Sequence, residues 1–231
     1  MALKPIHLPV GRSSIRAIAL TCVLASVAAC QKLPTYRYKI TVEVQTPQGI
    51  RTGSAVREVA SHTEPRITPE MGGVHVALKG EAVVVPLSNG KSVYALLTAD
   101  DASGFPAAVA EEVLGPAGGY PRGPYADIVA YLASHRVRGI VPPRAYPKFV
   151  SFTDKRDPKT VYLVKPKSTP PVADNEVLIK KISIETAGEA VTRSIEKDLP
   201  WLVWLRTSLM GSVSYYPNVL ADSMGRSAFV K

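Results

Sequence analysis

The sequence predicts an α+β fold: a mainly antiparallel sheet with a few short helices packed on one side. Three observations carry this. Tyr36 to Gln45 alternates between apolar and polar residues, with Tyr36, Tyr38, Ile40, Val42 and Val44 on one face. That is the period of a half-buried strand. Ser88-Asn89-Gly90-Lys91 separates two apolar runs, and Asn-Gly suits the positive-φ positions of a type I′ hairpin turn. The chain also holds 20 prolines in 231 residues, which favours turns over long helices.

The elements follow in order. Thr46-Pro47-Gln48-Gly49 reads as a turn, with Gly53 to Ala60 as the returning strand. Ser61 to Gly73 is polar, holds Pro65 and Pro69, and reads as a loop or irregular extension. Val74 to Leu87 is a third strand bent at Gly80, and Val93 to Thr98 is a fourth. Phe105-Pro106 opens a short helix that Gly115-Pro116 stops. Tyr125, Ile128, Val129 and Leu132 recur at i, i+3, i+4 and i+7, which predicts an amphipathic helix to about His135. Lys148 to Thr153 and Thr160 to Val164 read as strands around the turn from Asp154 to Lys159. Lys165 to Asn175 is a Pro-rich loop, and Glu176 to Glu185 a further strand. Thr186-Ala187-Gly188-Glu189 fits a capping box into a short helix. Asp198-Leu199-Pro200 fits an N-cap for a helix over Trp201 to Met210. The run Trp201 to Leu205 is expected to pack against the sheet, because large apolar patches rarely stay exposed; an interfacial anchor is the alternative.

Ahead of the fold stands a leader. Residues 1–29 begin with Lys4, Arg12 and Arg16 and no acid, then run apolar from Ala17 to Ala29. The apolar run is shorter than the roughly 20 residues that span a bilayer, and the pattern is that of a secretory signal peptide. Val27-Ala28-Ala29-Cys30 resembles the bacterial lipobox. The resemblance implies a diacylglyceryl group on the Cys30 thiol, cleavage before Cys30, and acylation of the new amine. Two or more acyl chains anchor stably. An ordinary signal peptide with an incidental cysteine and an uncleaved N-terminal helix are the alternatives. Cys22, the only other cysteine, would leave with the leader, so no disulfide is expected. The expected organisation is a signal peptide over 1–29, a short tether over 30–35, one α+β domain over 36–210, and a loosely held tail over 211–231. The expected location is the cell envelope, facing the periplasm. Gln31, where enteric bacteria read Asp as an inner-membrane signal, points to the outer membrane.

Charge is unevenly placed. The net charge is +9, and residues 136–181 alone carry 11 basic and 4 acidic residues. A solvated face is one reading. The other is a patch facing an anionic envelope polymer or lipid, or a partner protein. Lys155, Arg156 and Lys159 cluster around one turn and are the candidate binding residues. Tyr36-Arg37-Tyr38-Lys39 interleaves aromatics with bases, but both aromatics share the apolar face of a strand, so no nucleic-acid partner is expected.

Catalytic motifs are missing from the sequence. His62, His75 and His135 lack metal-ligand spacing, and no cysteine pair exists for zinc. Ser88–Lys91 and Ser194–Lys197 match S-x-x-K, without the S-D-N or K-T-G that accompany it in penicillin-binding enzymes. There is no G-x-S-x-G, Walker A or G-x-G-x-x-G. No catalytic residue, metal or cofactor is expected. The expected function is non-enzymatic binding of an envelope component or partner protein. The alternative is an envelope-tethered hydrolase whose site is assembled from distant residues.

Tyr38 to Val44, Thr46-Pro47-Gln48-Gly49, Thr52 to Val56 and Ile195 to Trp201 together resemble a family of proteobacterial lipoproteins. The resemblance covers most of the chain after the leader. It implies a lipoprotein leader and no assigned activity, so no functional residue carries over.

Overall fold

The structure is a computed structural model that describes residues 31–64, 73–87, 90–99, 106–116, 124–167, 176–205, 220–221 and 224–231. The leader, Cys30, Ser88-Asn89, most of the loops 115–124 and 165–175, and residues 206–219 lie outside the described residues. Ten strands are described: β1 (Gln31–Lys32), β2 (Tyr36–Thr46), β3 (Gly49–Glu64), β4 (Gly73–Lys79), β5 (Val83–Pro86), β6 (Ser92–Ala95), β7 (Arg138–Ile140), β8 (Phe149–Phe152), β9 (Val161–Lys167) and β10 (Glu176–Thr186). Three α-helices accompany them: α1 (Ala107–Leu114), α2 (Tyr125–Ser134) and α3 (Ile195–Asp198). The chain divides into two units, residues 33–61 with 76–231, and residues 1–32 with 62–75.

In the larger unit β2 and β3 form a long antiparallel hairpin, registered from Tyr36↔Val59 to Thr46↔Gly49. The alternation in β2 is realised: its five apolar residues are buried and Arg37, Lys39, Thr41 and Glu43 are half-buried between them. β10 lies antiparallel on the other side of β2, with a bulge between Ile179 and Lys181. β10 then pairs in parallel with β9. Beyond β9 the sheet continues antiparallel through β8, β6 and β5. The class is α+β and mainly sheet, as the alternation and turn signals predict.

Two cores result. α1 and α2 cover one face, where Ala110, Leu114, Ile128, Val129 and Leu132 pack with the five apolar residues of β2. Their burial is favourable at about 25 cal/mol per Å² of apolar surface. β6 is buried on both faces. Val93 and Ala95 join the first core, while Tyr94 and Leu96 join a second. The second core packs Val150 and Phe152 against Ile195, Leu199, Trp201, Leu202 and Phe229. Its rings meet edge to face: Tyr94–Phe152 at 5.4 Å, Phe152–Trp201 at 5.6 Å and Trp201–Phe229 at 5.7 Å between centroids. Such pairs contribute about 0.5–1.5 kcal/mol each beyond their burial.

Two glycines shape the joins. Gly80 has φ +152°, and a Cβ there would stand 2.7 Å from Arg57 Cγ. The expected strand 74–87 therefore breaks at Gly80 into β4 and β5. At Gly53 a Cβ would stand 2.0 Å from the Val84 carbonyl oxygen, so only glycine lets the β5 backbone approach β3 this closely.

Several expectations need correction. Ser61 to Glu64, read as loop, continue β3. Residues 30–35, read as a tether, are structured from Gln31 onward. Gln31 and Lys32 pair with Thr63 and His62, and Leu33 is buried. The capping box at 186–189 starts no helix, because the Thr186 hydroxyl accepts from Val137 N–H and donates to the His135 carbonyl. Asp198 ends α3 rather than capping a helix. A 3-10 turn over Pro200–Val203 follows, burying Trp201, Leu202 and Leu205 and leaving Val203 and Trp204 exposed. The described end of the expected tail is not loose. Met224, Ala228 and Phe229 are buried, and Gly80 and Lys231 exchange backbone hydrogen bonds of 3.0 and 2.9 Å.

Candidate functional site

Lys155, Arg156 and Lys159 do sit in the turn between β8 and β9, but they do not form one free basic cluster. Asp154 and Asp157 share the turn, and their carboxylates accept from the backbone N–H groups of Arg156 and Lys159 at 2.9 Å each. Lys155 reaches away from the turn. Its Nζ lies 2.7 Å from Asp198 Oδ1 at the end of α3, and Trp201 Nε1 donates to the Lys155 carbonyl. Tyr94 completes the arrangement, its hydroxyl donating to the other oxygen of Asp198. Burial, together with the carboxylate it faces, pushes the Tyr94 phenol far up, so it stays neutral. Lys155 thus ties the turn to α3, while Arg156 and Lys159 are exposed.

The rest of the basic segment builds a groove. α1, the 3-10 turn Pro143–Ala145, the start of β8 and β9 enclose a volume of about 580 Å³. Val109, Tyr146, Phe149 and Leu163 give it apolar walls, and Arg144, Lys148 and Lys165 bring positive charge. Arg144 is paired with Glu112 of α1; Lys148 and Lys165 add the remaining positive charge. β-strand alternation explains the mixture. On β9 Leu163 and Lys165 share one face, which puts an exposed leucine beside an exposed lysine.

The sequence reads the Glu111-Glu112 pair as a helix surface, and the structure corrects this for Glu111. Glu111 of α1 is buried, and its Oε1 accepts from Tyr36 at 3.1 Å and Tyr125 at 2.7 Å. Burial raises its carboxyl above the usual range although both phenols pull the other way. Burial, reinforced by the nearby Glu111 charge, also raises the Tyr36 phenol well above its ordinary value. Glu81 is buried as well. Its carboxylate accepts from Ser194 N–H at 2.8 Å, Ser194 Oγ at 2.8 Å and Ile195 N–H at 3.1 Å. The Ser194 of the S-x-x-K match therefore donates its hydroxyl to a carboxylate that caps α3, an arrangement that holds the helix start. Beneath Gly80, the buried Arg57 donates from Nε to the Glu81 carbonyl at 3.1 Å.

The three histidines after the leader separate. His135 follows α2 in the larger unit, its ring stacked on Tyr131 at 4.1 Å. His62 and His75 belong to the smaller unit, where their rings stack at 5.0 Å and 13°. Glu64 stands with them, Oε1 at 3.4 Å from His62 Nε2 and Oε2 at 3.3 Å from His75 Nε2. The sequence signal was His62-x-Glu64, two residues that share a face once Ser61 to Glu64 is recognised as strand. Reading that stretch as loop hid it.

Comparison with protein-family models, curated proteins and solved structures finds no match to this chain. Its function has to be argued from its own residues.

Proposed function

We propose that the chain is a lipid-anchored envelope protein, held through acyl chains on Cys30 and facing the periplasm. In this reading it acts as a non-enzymatic binding module for an anionic amphiphile, an envelope lipid in the first instance. The groove between α1 and β8–β9 carries the proposal. Apolar walls of Phe149, Leu163 and Val109 suit an acyl chain, and Lys148 and Lys165 suit an anionic headgroup. The outer membrane is the proposed location, on Gln31 following Cys30.

The test uses the purified full-length chain in detergent, titrated calorimetrically with a monomeric short-chain phosphatidylglycerol and with the matching phosphatidylcholine. The anionic lipid should bind tighter, and the difference should shrink with added salt. Lys165→Glu should weaken it roughly tenfold, a change of about 1.4 kcal/mol. Arg156→Glu should leave it unchanged. Equal affinity for the two lipids, or indifference to Lys165→Glu, overturns the groove as the site. For the anchor, Cys30→Ala should abolish lipid labelling and leave unprocessed precursor; normal labelling of that variant refutes the lipobox assignment.

A further inference from the structure

His62 and Glu64 are two apart on β3, so both side chains leave the same face of the strand. His75 lies on β4, which pairs with β3. One carboxylate thus bridges the edges of two stacked imidazoles, each oxygen facing one Nε2. One donor atom from each residue lies within 4.8 Å of the other two. All three side chains are about half exposed, at 42, 47 and 55%. We propose that His62, Glu64 and His75 form a binding site for a late transition divalent ion of the Zn²⁺ class.

The donor chemistry selects the ion. Two imidazole nitrogens and one carboxylate oxygen suit Zn²⁺, Cu²⁺ or Ni²⁺, whereas Mg²⁺ and Ca²⁺ prefer all-oxygen sites. Zinc binds imidazole nitrogen and carboxylate oxygen at about 2.0–2.2 Å. A tetrahedral ion therefore needs its donors about 3.3 Å apart, and side-chain rotation from the observed positions supplies the difference. Without an ion the arrangement has little to hold it, since surface pairs of this kind contribute about 0–1 kcal/mol. Three protein donors leave a fourth position open to water or to a ligand from another molecule. The site is accessible from solvent, so its ion is exchangeable. It does not depend on the anchor or on the groove.

The experiment titrates Zn²⁺ into the purified, untagged full-length chain against a chromophoric chelator. One equivalent should bind. His75→Ala and Glu64→Gln should each weaken binding by roughly tenfold or more, while His135→Ala should not. Excess Mg²⁺ or Ca²⁺ should not displace the zinc. Imidazole resonances of His62 and His75 should shift together on adding Zn²⁺ to the wild-type chain, a readout that does not depend on how the variants fold. Absence of stoichiometric zinc binding by the wild type, or shifts confined to His135, overturns the site.

Discussion

Glu81 offers the sharpest test of how this fold is held. Its buried carboxylate accepts three hydrogen bonds, from Ser194 N–H, Ser194 Oγ and Ile195 N–H. Hydrogen bonds to a charged group are worth about 1.5–3 kcal/mol each. Glu81→Ala removes all three and leaves the N–H groups of Ser194 and Ile195 without their acceptor. An unsatisfied buried donor costs about 1–3 kcal/mol, so the two N–H groups set a loss of about 2–6 kcal/mol. Ser194→Ala removes one bond only and should cost about 1–2 kcal/mol. The double variant should cost little more than Glu81→Ala alone, because the serine hydroxyl has already lost its acceptor. The assay is urea unfolding followed by circular dichroism, with the midpoint shift read at constant slope. A change within about 0.5 kcal/mol for Glu81→Ala, the range of ordinary surface substitutions, would falsify the capping role. Strict additivity of the two changes would do the same for the shared bond.

Three further outcomes are expected. Burial raises the Glu111 carboxyl, so folding favours its protonated form: its contribution is present below the ordinary carboxylate range of about 4.3 and is lost as pH rises through the raised value. Glu111→Gln should therefore raise the melting temperature at neutral pH, with the gain fading as the solution is acidified; a pH-independent effect contradicts this. Lys155→Glu places a carboxylate against Asp198 and should destabilise by about 1–2 kcal/mol, whereas Arg156→Glu should fall within about 0.5 kcal/mol of wild type; equal melting temperatures for the two variants refute the tie between turn and helix. Gly53→Ala, at a position where a Cβ meets the Val84 carbonyl oxygen, should cost about 1–3 kcal/mol, a shift of roughly 2–12 °C for a domain of this size, and a stabilised variant would show that β3 and β5 do not approach so closely.

What the sequence disclosed was what neighbours along the chain decide. The alternation in Tyr36 to Gln45 is local, and β2 follows it residue by residue. The spacing of Tyr125, Ile128, Val129 and Leu132 is local, and α2 follows it. The misses depend on distant partners. Thr186 does not cap a helix because Val137 and His135, some fifty residues away, occupy its hydroxyl. Lys155 looked like a free surface charge because nothing near it in sequence announces Asp198. Glu111 and Glu81 carry no motif; their roles come from Tyr36, Tyr125 and Ser194. The groove is readable only as a composition, basic residues mixed with prolines and aromatics, until β8 and β9 are set beside α1. His62-x-Glu64 stands in the sequence without a pattern to mark it, and gains meaning only where β4 brings His75 against it.

The pinning of the last residues has a bearing on the order of events in the life of the chain. Phe229 fills the second core, and Glu81 pairs with Val230 across almost the whole length of the larger unit. At a synthesis rate of about 5–20 residues per second, residue 230 leaves the ribosome roughly 7–30 seconds after residue 81. Tyr94, Phe152 and Trp201, each made earlier, lack the Phe229 ring that packs with them until the end of that interval. The second core cannot close before Phe229 has been made. In a chain carrying the proposed leader, such a delay would leave the second core open to solvent until residue 229 has been made.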